Sequence, residues 1–255
     1  MANPEAITDE QITSVLCTYA GMVERVLRDP GRWLGTDEDP PPTAPLPARA
    51  LDAVRDRAFG STTPASPEWR REPVERRVGW WVTRIGISAG LAAAAPRFFG
   101  ALANRVPLQG ALGAAASGLA VCATAREHGT TAPEDWVPLL GTVLFDRQLE
   151  APAGAVPGTA ESERRLSDAE DADGDGASGG LTGGARRAVT SIWSLARALL
   201  ALGDLLDHRP RGGRVVRLLG QVPVIGVASG WLDERGGIRS ASQETTTLLR
   251  ARARG

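Results

Sequence analysis

Two uncharged runs occupy the middle of the chain: residues 106–125, VPLQGALGAAASGLAVCATA, and residues 85–96, IGISAGLAAAAP. Runs of this kind must be removed from water, either in a protein core or in lipid. Small residues recur at every fourth position in both, which places them on one face of a helix. Such a face lets a second helix approach closely. The pattern predicts a central Ala/Gly-rich helical hairpin. The predicted helix-packing positions, including those of a later small-residue segment, are Gly86, Gly90, Gly110, Gly118, Gly226 and Gly230.

The same runs raise the question of a membrane span. A spanning helix needs about twenty predominantly apolar residues, and the longer run has that length. Most of its residues are Ala, Gly, Ser or Thr, however, which gain little from transfer into hydrocarbon. The shorter run is closed by Arg84 and Arg97. The composition favours a buried bundle core, and insertion into lipid is the alternative.

Composition sets bounds on partners and location. The 29 basic residues, all of them Arg, balance 30 acidic ones, and the net charge is -1, so we predict no nucleic-acid partner. Cys17 and Cys122 lie in apolar helical surroundings without CxxC spacing, which is typical of reduced, buried thiols. The first ten residues lack the features of a signal peptide. We therefore expect a cytoplasmic protein, either free or peripheral at the inner face of the cell membrane.

The N-terminal region, residues 1–65, is predicted to hold two helices and a connector. Thr8 and Gln11 have the spacing of a capping box, and apolar residues at helical spacing predict a helix over Asp9–Arg28. Residues 37–47 form a proline-rich connector. A short helix is predicted over residues 48–59. We expect these helices to be an appendage of the main bundle.

A helical region is predicted over residues 66–150. Ser66 and Pro67 have the pattern of a helix start. In a soluble bundle, one of the adjacent Trp80 and Trp81 would be in the core and the other half exposed. At a membrane both would lie in the headgroup region, so they are candidate membrane-interface anchors. After the hairpin, an amphipathic helix is predicted to end near Glu150.

A change of composition marks residues 151–184. The segment is rich in Gly, Ala, Ser and acidic residues, and residues 150–175 hold eight acidic against two basic side chains. This composition predicts a disordered acidic linker. Asp171, Asp173 and Asp175 resemble the start of a calcium loop, but Thr182 stands where such a loop needs Glu, so no calcium site is predicted.

The helical pattern returns in residues 185–255, which are predicted to pack on residues 66–150. A nearly all-apolar helix starts at Ala185, and the last helix is predicted over Ile238–Arg254. Residues 184–255 hold twelve Arg against five acidic residues. That surplus would attract the acidic linker, an anionic lipid or a protein partner.

Residue types that carry chemistry are sparse. Metal sites need clustered His, Cys or carboxylates, but the two histidines, His128 and His208, are each predicted at a helix end. No nucleophile or phosphate-binding motif is present. We therefore predict no catalytic residue, metal or cofactor. Arg105 and Arg97 flank the turn of the hairpin and are candidate contacts for an anion or lipid headgroup, with a solvated loop arginine as the alternative.

The chain resembles the EcsC family of bacterial helical proteins in two regions, residues 70–150 and 185–255. One resemblance covers the small-residue helix with Asn104-Arg105-Val106-Pro107, Ala125-Arg126-Glu127-His128-Gly129 and Pro133-Glu134-Asp135. The other is Val222-Pro223-Val224-Ile225-Gly226, which is similar to a signature near the end of that family. Arg105 stands where family members commonly have Asp. The resemblance implies an all-helical, membrane-associated protein and supplies no catalytic residues.

These observations predict an all-α helical bundle with a central small-residue hairpin, interrupted by a disordered acidic linker. The leading functional hypothesis is a non-enzymatic protein that binds a membrane surface, a membrane protein or another partner. The alternative is a helical module that holds a lipid or other apolar small molecule in a bundle cavity. An enzyme is the third hypothesis, because the sequence contains no recognisable catalytic constellation. The sequence does not specify an oligomeric state.

Overall fold

The computed structural model of the protein describes residues 8–34, 62–94, 108–172, 183–207 and 230–254. Within these ranges it contains eight α-helices and no strand, which confirms the all-α class. The helices are α1 (Asp9–Arg28), α2 (Pro30–Leu34), α3 (Val74–Ala94), α4 (Leu108–Glu127), α5 (Trp136–Phe145), α6 (Thr159–Ala172), α7 (Gly183–Asp207) and α8 (Gly230–Arg252). Short 3-10 turns, Trp69–Arg71 and Pro133–Asp135, precede α3 and α5.

Helix α1 begins and ends where the sequence predicts. The Thr8 side chain accepts a hydrogen bond from the Gln11 amide at 3.2 Å, and the Gln11 side chain accepts one from the Thr8 amide at 3.1 Å. This capping box satisfies two backbone donors that the helix itself leaves free. At the other end, the Asp29 side chain accepts from the Arg32 amide at 3.1 Å, which starts the short helix α2.

Helix α4, formed by the longer uncharged run, lies at the centre of the bundle. It packs against α1, α3, α5, α7 and α8, and Leu119, Val121 and Ala123 have no exposed surface. The surroundings of this run are therefore other helices of the same chain. In the described part of the chain, no helix combines the length and apolarity that crossing a membrane requires.

The helices around α4 have defined directions. Tyr19 of α1 bonds to Ala115 at 2.5 Å, and Glu24 lies near Arg126, so α1 runs parallel to α4. Helix α8 is also parallel to α4, because its Ser242 bonds to Thr124 at 2.8 Å while its Gly237 lies opposite Ser117. Helix α3 is antiparallel, since Arg77 at its start contacts Glu127 at the end of α4. The C-terminal ends of α1, α4 and α8 thus meet the start of α3.

The prediction that the N-terminal helices form an appendage is wrong for α1. Leu16, Tyr19 and Val23 are completely buried, and the helix contacts α4, α5, α6 and α7. Its hydrophobic stripe is continuous along one side, and that stripe needs a protein surface to cover it. Residues 9–34 therefore belong to the main bundle.

The predicted disorder of residues 151–184 is wrong over Thr159–Ala172, which form α6. This helix packs on α1 and α7. Its polar composition hides a small apolar anchor, because Ser162 and Leu166 are buried at 0% and 1% exposure. Residues 173–182 lie outside the described ranges.

Three helix limits differ from the prediction. Helix α3 starts at Val74 rather than at Ser66, because the Ser66 hydroxyl donates back to the Thr63 carbonyl at 2.7 Å and closes a local turn. Helix α5 ends at Phe145, where Asp146 has a left-handed φ of 52° and turns the chain back. Helix α8 starts at Gly230, eight residues before the predicted start.

Candidate functional site: an arginine-rich end of the bundle

The candidate site is the end of the bundle where α1, α4 and α8 terminate. All three helices carry arginine in the last turn. The 3-10 turn and the first turn of α3 add further arginines from the opposite direction. We call this surface the arginine-rich end. Its arginines are Arg25, Arg28, Arg70, Arg71, Arg76, Arg77, Arg126, Arg250, Arg252 and Arg254, together with Arg32 in α2.

A helix dipole accounts for only part of this charge. Cations are favoured at helix C-termini, where the dipole is negative, and this explains the last-turn arginines. The N-terminus of a helix has the opposite preference. Arg70 and Arg71 precede α3, and Arg76 lies in its first turn, where the dipole of α3 disfavours them. Arg76 pairs with Glu72 at 2.7 Å, whereas Arg70 and Arg71 gain no stability from the dipole of α3.

Glu127 is the buried centre of this end. Its carboxylate is 7% exposed. One oxygen accepts hydrogen bonds from the indole N–H groups of Trp81 at 2.9 Å and Trp69 at 3.3 Å. The other forms an ion pair with Arg77 at 2.8 Å. One carboxylate thus ties the 3-10 turn and the start of α3 to the end of α4.

Three tryptophans form a packed row beside this carboxylate. The Trp80 ring makes edge-to-face contacts with Trp69 at 5.5 Å and with Trp81 at 5.0 Å between ring centroids. Contacts of this geometry are favourable beyond the area they bury. Together with the Glu127 hydrogen bonds, they fix the backbone of residues 69–81 on which the exposed arginines stand.

The predicted membrane-interface anchors, Trp80 and Trp81, are both buried, at 5% and 1% exposure. Neither the expected half-exposed ring nor the expected pair of interfacial rings is present. Adjacent side chains lie on different sides of a helix, but the partners on both sides here are buried. The 3-10 turn adds a third indole that covers Trp80, and Glu127 supplies a polar partner inside the bundle for Trp81. Their observed contacts are with the core.

The predicted anion contacts, Arg97 and Arg105, lie outside the described residues, as do Gly226, His208, the proline-rich connector and the helix predicted over residues 48–59. Of the remaining packing glycines, Gly86 is buried, Gly90 and Gly110 are half-buried, and Gly230 is the first residue of α8. Gly118 has a specific partner. A Cβ at Gly118 would lie 2.7 Å from the Tyr19 hydroxyl oxygen, so this glycine admits α1 rather than the other hairpin helix.

His128 lies at the centre of the charged groups. It follows α4 directly, and its amide donates to the Thr124 carbonyl at 3.1 Å. Burial lowers the pKa of the imidazole, and the nearby Arg250 and Arg77 lower it further, against the opposing effect of Glu75 and Glu127. The folded protein therefore favours the neutral imidazole.

Burial also lowers the pKa of Arg126 at this end, and three further shifted groups are buried deep in the bundle. Burial raises the pKa values of Cys17, Tyr19 and Cys122, and both cysteines are free thiols. Neutral phenol and thiol groups in such surroundings serve as packing and hydrogen-bonding elements. Among the described residues, no group of three His, Cys, Asp or Glu side chains has the arrangement of a metal site.

Sequence reasoning missed two features of this end. The first is Glu127, whose partners come from residues 46 to 58 positions earlier in the chain. The sequence does contain a signal for this contact: the Trp80–Trp81 pair and Glu127 lie at the two outer ends of the predicted hairpin, and antiparallel packing brings those ends together. The second is Glu163 of α6, which forms ion pairs with Arg25 at 3.2 Å and with Arg32 at 2.7 Å. No local pattern marked that residue.

Comparison with known proteins adds no relative, because no protein-family model, curated protein or solved structure matches this chain.

Proposed function

We propose that this chain is a non-enzymatic helical protein that makes peripheral contact with an anionic membrane surface through its arginine-rich end. The observation that carries the proposal is a set of exposed arginines on two elements, Arg70 and Arg71 before α3 and Arg252 at the end of α8. Within the described residues, these three side chains have no ion pair. The Arg250–Glu75 ion pair, at 3.3 Å, joins the two elements.

The strength of such a contact follows from the number of free charges. Each arginine near an anionic lipid surface contributes about 1 kcal/mol, and salt screens this attraction. Three free arginines therefore supply about 3 kcal/mol, which is a weak and reversible contact. The rigid backbone beneath Arg70 and Arg71 lowers the entropy lost on binding.

A membrane fits this surface better than a single shaped ligand does. The arginines come from several helix ends and a 3-10 turn. A bilayer offers many negative charges over a broad area. The resemblance to the EcsC family suggests the same association, and it stays a prediction.

The test is co-sedimentation with vesicles of phosphatidylcholine alone and of phosphatidylcholine mixed with phosphatidylserine. We expect binding to the mixed vesicles only, with an affinity that falls as salt rises. The double variant Arg70→Gln/Arg252→Gln should weaken binding by about 2 kcal/mol, or about thirty-fold.

A matched control comes from exposed arginines outside this end. Arg147 pairs with Asp9 at the start of α1, and Arg239 lies about three and a half turns before the end of α8. The variant Arg147→Gln/Arg239→Gln removes the same charge and should bind nearly as the wild type does. Equal loss in both variants would indicate a general charge effect, and no binding of the wild type at low salt would refute the proposal. Native mass spectrometry of the same protein tests the alternative, since a retained lipid would indicate a ligand in the bundle.

A further inference from the structure

We infer that α6 is an intramolecular acidic clasp, in which Glu163 occupies two arginines of the arginine-rich end and competes with the anionic surface for them. This inference rests on the proposed function, because it concerns the regulation of the same site. It assigns a role to the acidic segment, which the described structure shows as a helix docked on α1.

Glu163 of α6 pairs with two arginines. One of its oxygens lies 3.2 Å from Arg25 of α1, and the other lies 2.7 Å from Arg32 of α2. A single carboxylate thus neutralises two cations that stand on different helices. The Arg32 guanidinium also lies over the Trp33 ring, 4.5 Å from its centroid, so its position is fixed from both sides. The contact with Trp33 would therefore keep Arg32 in place even without Glu163.

Helix α6 buries few of its side chains against the bundle. Over its described side chains, residues 159–167, only Ser162 and Leu166 are buried. Leu166 is the single large apolar side chain among them. Helices in this bundle otherwise present long apolar stripes, such as that of α1. A helix held by one leucine and partly exposed ion pairs is removed at a low cost compared with its neighbours.

Gly21 of α1 lies in close contact with the Ser162 side chain of α6 and with the residues just before α6. A Cβ at this position would lie 2.8 Å from the Ser162 hydroxyl oxygen and 3.2 Å from the Pro157 carbonyl oxygen. The absence of a side chain on α1 therefore makes room for α6. This fit brings Glu163 within reach of Arg25, one turn farther along α1.

Competition follows from these contacts. Since Glu163 and anionic lipid would use the same guanidinium groups, occupation by one excludes the other. Docked α6 lowers the number of free cations at the end of the bundle. Removal of α6 would expose Arg25, which is 13% exposed beside Glu163, and would leave the already exposed Arg32 without its Glu163 partner.

Matched carboxylate variants test this clasp in full-length protein, with vesicles of phosphatidylcholine and phosphatidylserine as the probe. Glu163→Gln removes the carboxylate that pairs with α1 and α2. Glu161→Gln removes the same charge from the same helix, but Glu161 pairs only with Arg164 and Arg165 of α6 itself. We expect Glu163→Gln to raise vesicle affinity about fivefold or more, and Glu161→Gln to change it by less than about twofold. Circular dichroism confirms that both variants are folded.

A second variant separates docking from charge. Gly21→Ala pushes α6 away without changing any charge, so it should also raise vesicle affinity. Gly79→Ala is its control, because a Cβ at Gly79 meets nothing within 4 Å. Hydrogen exchange of residues 159–167 should increase when the wild type binds vesicles. If Gly21→Ala is unfolded, this exchange decides the question in the wild type.

The outcomes distinguish the clasp from the proposed function. Wild-type binding with equal affinity for Glu163→Gln and Glu161→Gln, or with unchanged exchange in α6, overturns the clasp and leaves the proposed function standing. Failure of the wild type to bind at low salt overturns the proposed function and, with it, the clasp.

Discussion

Glu127 joins parts of the chain that are distant in sequence. Its carboxylate accepts from two indoles and pairs with Arg77, and both charged side chains are largely buried, at 7% and 16% exposure. Breaking a buried ion pair by removing one partner leaves an uncompensated charge, which costs more than the pair contributes. The stability of this end of the bundle should therefore depend on this residue.

We expect Glu127→Gln to lower the free energy of unfolding by about 3 kcal/mol, because Arg77 loses its counter-charge. Urea denaturation followed by tryptophan fluorescence measures the change. Glu75→Gln is the matched control: it removes the same charge from α3, but its ion pair with Arg250 is exposed, at 75% and 58%. That variant should lose less than about 0.5 kcal/mol. Equal losses would mean that the buried Glu127–Arg77 pair contributes no more to stability than the exposed Glu75–Arg250 pair does.

His128 predicts a pH dependence of stability. Its pKa is lowered in the folded state by burial and by Arg250, whereas the unfolded chain has a value of about 6.5. The unfolded chain therefore binds more protons between the two values. The contribution of His128 is complete above the unfolded pKa and is lost as pH falls through the folded pKa. As pH falls below about 6.5, the melting temperature of the wild type should fall more steeply than that of His128→Gln. Parallel curves of melting temperature against pH would contradict the assignment of this pH dependence to His128.

At the scale of elements, close approach between α1 and α4 depends on one glycine. The Tyr19 ring lies against Gly118, where a Cβ would meet ring carbons at 3.0 Å. Tyr19 is completely buried and its hydroxyl is bonded to the Ala115 carbonyl. The ring therefore has little freedom to move aside.

Gly118→Ala should destabilise the protein by about 2 kcal/mol, since overpacking exceeds the gain in helix propensity. Gly113→Ala on the same helix should be neutral or stabilising by up to about 1 kcal/mol, because a Cβ there meets nothing within 4 Å. Chemical denaturation of the two variants gives the comparison. The prediction requires that the changes in the free energy of unfolding of the two variants have opposite signs, or at least that Gly118→Ala is clearly the less stable.

Elements with local signals could be predicted from the sequence, and elements held by remote partners could not. Helix α1 has a capping box, a hydrophobic stripe and a clear stop, and its predicted limits match. The end of α4 is marked by Gly129, which adopts a φ of 95°. Helix α6 has a polar composition, and its stability depends on Gly21 and two arginines that lie more than a hundred residues away.

The same distinction between local signals and remote partners applies to the candidate site. The arginine surplus and the tryptophan pair could be counted from the sequence, although the surplus was expected from residues 184–255 alone. The observed surface combines α8 with the ends of α1 and α4 and the start of α3. Only the directions of packing bring these together, and no local pattern encodes them. Trp80 and Trp81 are buried for the same reason, because their cover comes from Trp69 and Glu127.

At the scale of the whole molecule, α1 and the later helices share one core. Buried side chains of α1, α4 and α7 belong to a single hydrophobic cluster. We therefore expect α1 to unfold together with the hairpin rather than before it. Urea curves from tryptophan fluorescence and from far-ultraviolet circular dichroism should superimpose. An early loss of helical signal before the fluorescence change would mean that part of the bundle unfolds separately.

The position of α1 has a consequence for synthesis on the ribosome. The Tyr19 hydroxyl donates to the Ala115 carbonyl, which lies 96 residues later in the chain. In α2, the Trp33 carbonyl accepts from the Ser191 hydroxyl of α7, which lies 158 residues later. The apolar face of the first helix is therefore translated long before the residues that cover it. Contacts of such long range form late and slowly. Until α7 has emerged, the side of α1 that packs on α7 stays uncovered, so we expect the nascent protein to bind chaperones that recognise exposed hydrophobic surfaces.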